Sequence, residues 1–153
     1  MKKIFFYPTR LGKIGVSERD GGITSIYFAQ SPRFAEKIEE TELIQKTFQE
    51  IEEYLEGNRR EFTFPMNPIG TEFQKKVWSA LRDIPYGEVR SYKEIAEAVG
   101  CPKGARAVGL ANNKNPIVIA TPCHRVIGAN GKLVGYAYGL EMKKELLALE
   151  NKI

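Results

Sequence analysis

Histidine is nearly absent from this chain: His124 is the only one in 153 residues. Cysteine is almost as scarce, at Cys101 and Cys123, and residues 1–70 contain neither type. Structural zinc takes four Cys or His ligands and catalytic zinc three protein ligands, so no metal centre is expected. Two cysteines far apart in sequence give no disulfide framework; a bridge between them is compatible with the spacing but disfavoured in a reducing compartment. Repeats and low-complexity tracts are missing as well. No uncharged apolar run approaches the ~18 residues of a membrane helix. Met1-Lys2-Lys3 leads only into Ile4–Tyr7 before Pro8, too short for a signal-peptide core. The expectations are no membrane association and a cytoplasmic home.

What is present describes a globular protein: 42% hydrophobic, 27% charged and 10% aromatic residues. The formal charge of +4 is unevenly spread. Residues 1–70 carry ten Lys/Arg against eleven Asp/Glu, a net of −1; residues 71–153 carry thirteen against eight, a net of +5. Within Val89–Lys132 seven basic residues face two acidic ones. Such a segment suits nucleic acid, although an ordinary solvated surface has the same look.

The first third reads as strands at Ile4–Tyr7, Lys13–Glu18 and Ile23–Phe28, with Asp20-Gly21-Gly22 as a hairpin turn. Thr41–Leu55 has helical spacing, with Leu43, Ile44, Phe48, Ile51 and Leu55 on one face and Gly57 as its stop. Glu61–Pro68 reads as a strand running into a linker, and the domain boundary is placed there. Beyond it, Thr71 caps a helix using Phe73, Val77, Trp78 and Leu81, and Pro85-Tyr86-Gly87 forms a turn. Ser91-Tyr-Lys-Glu94 is a capping box ahead of a helix that stops at Gly100. A second helix over Gly104–Asn113 completes a helix-turn-helix pattern. Its Gly104-Ala105-Arg106-Ala107-Val108-Gly109 start has almost no bulk besides one arginine. A major-groove reading helix carries several long polar side chains; small residues suit a narrower groove or close helix packing.

Pro122-Cys123-His124-Arg125 raises the possibility of a nucleophilic thiol, since thiolate formation needs a nearby base or cation. Adjacent residues of a strand point to opposite faces, so direct contact of Cys123 with His124 requires an irregular backbone. For the bare tetrapeptide a structural cysteine is the commoner answer. Cys101 reads as a small, semi-buried residue after a helix stop.

Pro122-Cys-His-Arg-Val126, with Lys114-Asn-Pro116 before it and a Gly-rich stretch after it, resembles the active-site motif of the O6-alkylguanine-DNA alkyltransferases, also called methylated-DNA–protein-cysteine methyltransferases. The likeness extends through Pro85-Tyr-Gly-Glu-Val89, Ser91-Tyr92, Arg106-Ala-Val-Gly109 and the helix Leu140–Glu150. It is strong over Phe73–Glu150 and a matter of overall pattern before that.

The resemblance implies an α/β (α+β) protein of two domains. Residues 1–68 would form a small antiparallel-sheet, ribonuclease H-like domain. Residues 69–153 would form a helical, winged-helix-like domain that binds DNA and accepts the alkyl group. The reaction implied is transfer of an alkyl group from O6 of guanine in double-stranded DNA to Cys123, once per molecule and without a cofactor. His124 would withdraw the thiol proton through a water and be oriented by Glu150. Tyr92 would hydrogen-bond or protonate the leaving base, and Asn115 would brace the site. Val126, Tyr136, Ala137 and Tyr138 would line the base pocket beyond the turn at Asn130-Gly131. Arg106 would fill the space left by a flipped nucleotide, while Gly104, Ala105, Ala107 and Gly109 let the helix enter the minor groove. The protein is expected to be a monomer, with cooperative binding along DNA left open.

Two positions depart from the pattern: Tyr138 stands where many members have the first of a Gly-Gly pair, and Leu110 is larger than the glycine of some relatives. Rival readings are a lesion-sensing relative that binds damage without reacting, from which Cys123 argues away, and a helix-turn-helix transcriptional regulator. A thiol hydrolase is weaker, because nothing points to an acyl substrate.

Overall fold

The computed structural model describes residues 2–29 and 36–151. The chain divides into two units: Met1–Ile69 with Pro116–Ala120, and Gly70–Asn115 with Thr121–Ile153. No helix among the described residues is long and apolar enough to cross a membrane.

The first unit is a four-stranded sheet and one helix. Strands β1 (Lys2–Tyr7), β2 (Ile14–Arg19), β3 (Gly22–Phe28) and β4 (Glu36–Ile38) lie in the order β3-β2-β1-β4. β1, β2 and β3 pair antiparallel, and the β2–β3 turn is made by Asp20 and Gly21, both at positive φ (52° and 79°). That is the twist a two-residue hairpin requires. β4 pairs parallel to β1, so the sheet is mixed rather than wholly antiparallel. Three residues are too few for a legible alternation, which is why this strand has no sequence signal.

Helix α1 (Glu42–Leu55) starts where Thr41 Oγ1 accepts the Ile44 amide and stops ahead of Gly57, at φ 81°. Its buried Ile44 and Ile51 join Ile4, Ile14, Val16, Ile23 and Ile26 in the core. Glu61–Pro68 is not a strand. Only Met66 bridges to Ile23, through Ile23 N–H to Pro65 O and Asn67 N–H to Ile23 O. Pro65 and Pro68 cannot donate to a ladder, which limits pairing to that point.

Pro116–Ala120 belongs to the same unit. Ile26 donates its amide to Pro116 O and accepts from Val118 N–H. The buried Ile119 then sits at φ 75°, closed by Ala120 N–H to Val118 O at 2.9 Å. A β-branched residue in that region stores on the order of 1–3 kcal/mol, and the kink ends the excursion just before the cysteine motif.

The second unit holds α2 (Glu72–Arg82), β5 (Arg90–Ser91), α3 (Tyr92–Ala98), α4 (Ala105–Asn113), β6 (Val126–Ile127) and α5 (Leu140–Leu149). Thr71 with Gln74, and Ser91 with Glu94, form complete capping boxes. Trp78 Nε1 donates to Ala111 O, tying α2 to α4. β5 and β6 pair in parallel, Ser91 opposite Ile127, a two-residue ladder that sequence patterning does not reveal.

Candidate active site

The residues Cys123–Arg125 form a single 3₁₀ turn entered from Pro122. This backbone is irregular, so the opposite-face rule for neighbours in a strand does not apply to Cys123 and His124. Cys123 is buried, and its thiol is pushed up by that burial. Hydrogen bonds from Asn115 and Tyr136 and the positive charge of Lys143 act in the opposite direction, favouring thiolate. Asn115 Nδ2 also donates to Thr121 O at 2.7 Å, so it holds both the approach to the cysteine and the cysteine itself. Asn112, buried on the inner face of α4, reaches Cys123 O at 3.4 Å.

His124 is fully buried, and its Nε2 lies 2.8 Å from Glu150 Oε2. Burial lowers the imidazole pKa below its ordinary value, the Glu150 carboxylate opposes that, and the charges of Arg125 and Lys143 reinforce it. Glu150 sits at the C-cap of α5. It accepts Arg125 Nε at 2.8 Å, Arg125 Nη2 at 3.0 Å and the Gly87 amide at 3.2 Å. Arg125 further donates to Ile84 O at 2.7 Å, with its guanidinium 5.6 Å from the Tyr86 ring centre. The sequence offered Arg125 as a cation beside the thiol; the structure commits it to Glu150 instead.

Lys143 is the residue that sequence reading missed. It is fully buried on α5, and Nζ donates to Val126 O (2.6 Å), Val134 O and Gly135 O (both 3.1 Å). Burial lowers it to about 8. Its ammonium ties β6 and the following loop to α5. A signal existed: Lys143, Leu146, Leu147 and Glu150 follow i, i+3, i+4, i+7 spacing, so two charges lie on the buried stripe.

Tyr92, first residue of α3, is half-buried and donates to Val134 O at 3.1 Å. Burial raises its pKa, with a further push from charge on Cys123. Tyr136 is buried, Tyr138 meets it edge-on with ring centres 5.9 Å apart, and Ala137 is exposed between them. The carbonyl of Val126, a residue expected to line the base pocket, takes the shortest Lys143 bond, leaving one lone pair for another donor. The turn at Asn130-Gly131 forms, with Gly131 at φ 80° and Gly128 N–H bonded to Lys132 O.

On α4, Val108, Ala111 and Asn112 face inward, while Arg106, Ala107 and Leu110 are exposed and Gly104, Ala105 and Gly109 are intermediate. A Cβ at Gly104 would come within 2.6 Å of Cys101 Sγ, which explains glycine at that turn. Cys101 itself is exposed rather than semi-buried, because Gly100 at φ 78° ends α3 and turns the next residue outward.

Comparison with known proteins places this geometry in company. Residues 3–68 match the family model "6-O-methylguanine DNA methyltransferase, ribonuclease-like domain", and residues 72–152 match "6-O-methylguanine DNA methyltransferase, DNA binding domain". A methylated-DNA–protein-cysteine methyltransferase of Methanosarcina acetivorans is 47% identical over 148 residues, covering 94% of this chain and 95% of its own. The constitutive methylated-DNA–protein-cysteine methyltransferase of Bacillus subtilis is 44% identical over 150 residues, covering 93% and 91%. Among solved structures, Mycobacterium tuberculosis OGT in complex with DNA superposes with a TM-score of 0.91 at 40% identity, over 97% of this chain and 92% of that one.

Proposed function

The chain belongs to the 6-O-methylguanine DNA methyltransferase family, and from that premise we infer which of its atoms carry the reaction. The protein binds DNA and repairs it by direct transfer of the alkyl group from O6-alkylguanine to its own cysteine. The observation that carries the assignment of roles is the buried run Cys123, His124 and Glu150, with the imidazole held at 2.8 Å by the carboxylate.

With Nε2–H donated to Glu150, Nδ1 of His124 is the nitrogen that accepts a proton. The Cys123 S–H proton passes through a water to Nδ1, and the thiolate sulfur attacks the alkyl carbon. A sulfur–carbon bond forms as the carbon–O6 bond breaks, and the electron pair leaves with the guanine. Tyr92 exchanges its bond to Val134 O for a hydrogen bond to the departing base. Its raised pKa suits it to donate that bond without ionising. Asn115 braces the turn, and Val126, Tyr136, Ala137 and Tyr138 receive the base. The thioether has no route back to thiol, so one molecule acts once.

The alkyl carbon is out of reach inside a duplex, so the nucleotide must be turned out at a cost of a few kcal/mol. Exposed Arg106 and Ala107, flanked by Gly104, Ala105 and Gly109, support a reading in which α4 enters the minor groove and Arg106 fills the gap. Lysines and arginines of this unit, net +5, supply affinity that does not depend on sequence. One chain carries every side chain proposed for the reaction, which supports a monomer as the working unit. A reducing, cytoplasmic setting keeps the acceptor thiol available.

Stoichiometry tests the proposal. Mixed with excess duplex containing O6-methylguanine, the protein should remove one methyl per molecule and stop. Repeated turnover, or none from folded and reduced protein, would reject it.

A further inference from the structure

We propose that Arg125 is a positioning residue for the transfer: by engaging both oxygens of Glu150 it keeps His124 uncharged and able to take the thiol proton. This rests on the reading in which His124 is the proton acceptor.

The argument is one of buried charge. Glu150 and His124 are shut off from solvent, and Arg125 nearly so. A buried carboxylate beside a lone histidine would draw a proton onto the imidazole and form an ion pair with it. An imidazolium cannot accept the thiol proton. Here the carboxylate is already neutralised by a guanidinium in fork geometry, Nε to Oε1 at 2.8 Å and Nη2 to Oε2 at 3.0 Å. A proton on His124 would then leave an unbalanced positive charge in the interior. The remaining groups facing the ring sharpen this: Lys143 from α5 is a second cation, and Cys123 from the same turn is neutral until it reacts. α2, which also packs on the turn, contributes Arg82, bonded to Thr121 Oγ1.

Arg125 is itself fixed from three sides, by Glu150, by Ile84 O and by the Tyr86 ring, while the Gly87 amide holds Glu150 Oε1. The carboxylate therefore cannot swing away from the imidazole. Lysine would keep the charge but lose the two-pronged fit.

Because His124 is the only histidine, its ring protons report its charge state without ambiguity. The full-length protein and the variants Arg125→Met, Arg125→Lys and Arg125→Met/Glu150→Gln are titrated by NMR, and single-turnover transfer at saturating O6-methylguanine duplex is followed against pH. In Arg125→Met the imidazole midpoint should rise at least tenfold in proton affinity over the unsubstituted protein. The transfer rate of that variant should fall more at low pH than at high pH. Arg125→Lys should keep the low midpoint. The double variant, which buries no unpaired charge, should return His124 to the neutral form even if Arg125→Met alone proves too unstable to measure. A midpoint in Arg125→Met equal to that of the unsubstituted protein would overturn the proposal. So would a transfer rate lowered equally at every pH, or a double variant whose histidine is charged. Transfer at full rate by His124→Gln would instead overturn the proton-relay reading, and the NMR midpoints are independent of it.

Discussion

Nε2 of His124 and Oε2 of Glu150 lie 2.8 Å apart with both side chains closed to solvent. The imidazole is held below its ordinary value of 6.5 by burial first, against the pull of the carboxylate. The folded protein therefore keeps this ring neutral where the unfolded chain would protonate it. The extra proton belongs to the unfolded state, so acid favours unfolding. Urea unfolding should show stability that is fully present above pH 6.5 and lost below it. The His124 contribution to the slope is about 1.4 kcal/mol per pH unit. His124→Gln should lack this part of the slope; an unchanged slope would contradict a neutral buried histidine.

Lys143 should prove structural and catalytic at once. Lys143→Met keeps the length of the stem but takes the ammonium from the buried Val126 carbonyl and releases the carbonyls of Val134 and Gly135, the first of which still accepts from Tyr92. A buried carbonyl such as that of Val126 left without this partner costs about 1–3 kcal/mol. Amide exchange across Val134–Tyr136 should accelerate markedly, and methyl transfer should slow. Unchanged exchange would show that the loop is held by something else.

Tyr138 is expected to narrow the entrance to the pocket. Its ring leans edge-on against Tyr136, where a glycine would leave the approach open. Tyr138→Gly should react with O6-benzylguanine as a free base at least tenfold faster, with reaction toward O6-methylguanine in DNA changed much less. Equal rates toward the benzyl compound would remove Tyr138 from the account of substrate size.

Arg106 lies exposed on α4, away from the inward-facing Val108, Ala111 and Asn112. Arg106→Ala should slow transfer from duplex DNA by ten- to a hundredfold while leaving the reaction with a free alkylguanine base intact. Equal loss on both substrates would mean that the substitution damages the thiol site rather than nucleotide extrusion.

Much of this was legible in the residues. Capping boxes at Thr71–Gln74 and Ser91–Glu94 announce their helices because caps act within one turn of chain. Asp20-Gly21 announces the hairpin for the same reason. The 3₁₀ turn at Cys123 is legible only as a need for irregular backbone. What stayed hidden depends on distant partners. Strand β4, the β5–β6 ladder and the Pro116–Ala120 excursion are too short to show periodicity. Lys143 donates to carbonyls that any sequence would provide, so its acceptors have no side-chain signature. Arg125 shows the converse case: its cationic chemistry was plain beside Cys123, but its choice of Glu150, 25 residues away, was not.

The central claim is that Cys123 itself receives the alkyl group. Reduced protein is incubated with duplex DNA containing O6-methylguanine, digested, and the Cys123 and Cys101 peptides are weighed by mass spectrometry. One methyl should appear on Cys123 and none on exposed Cys101, and Cys123→Ala should bind the lesion but leave it unrepaired. A methyl on Cys101, or repair by Cys123→Ala, would contradict the account.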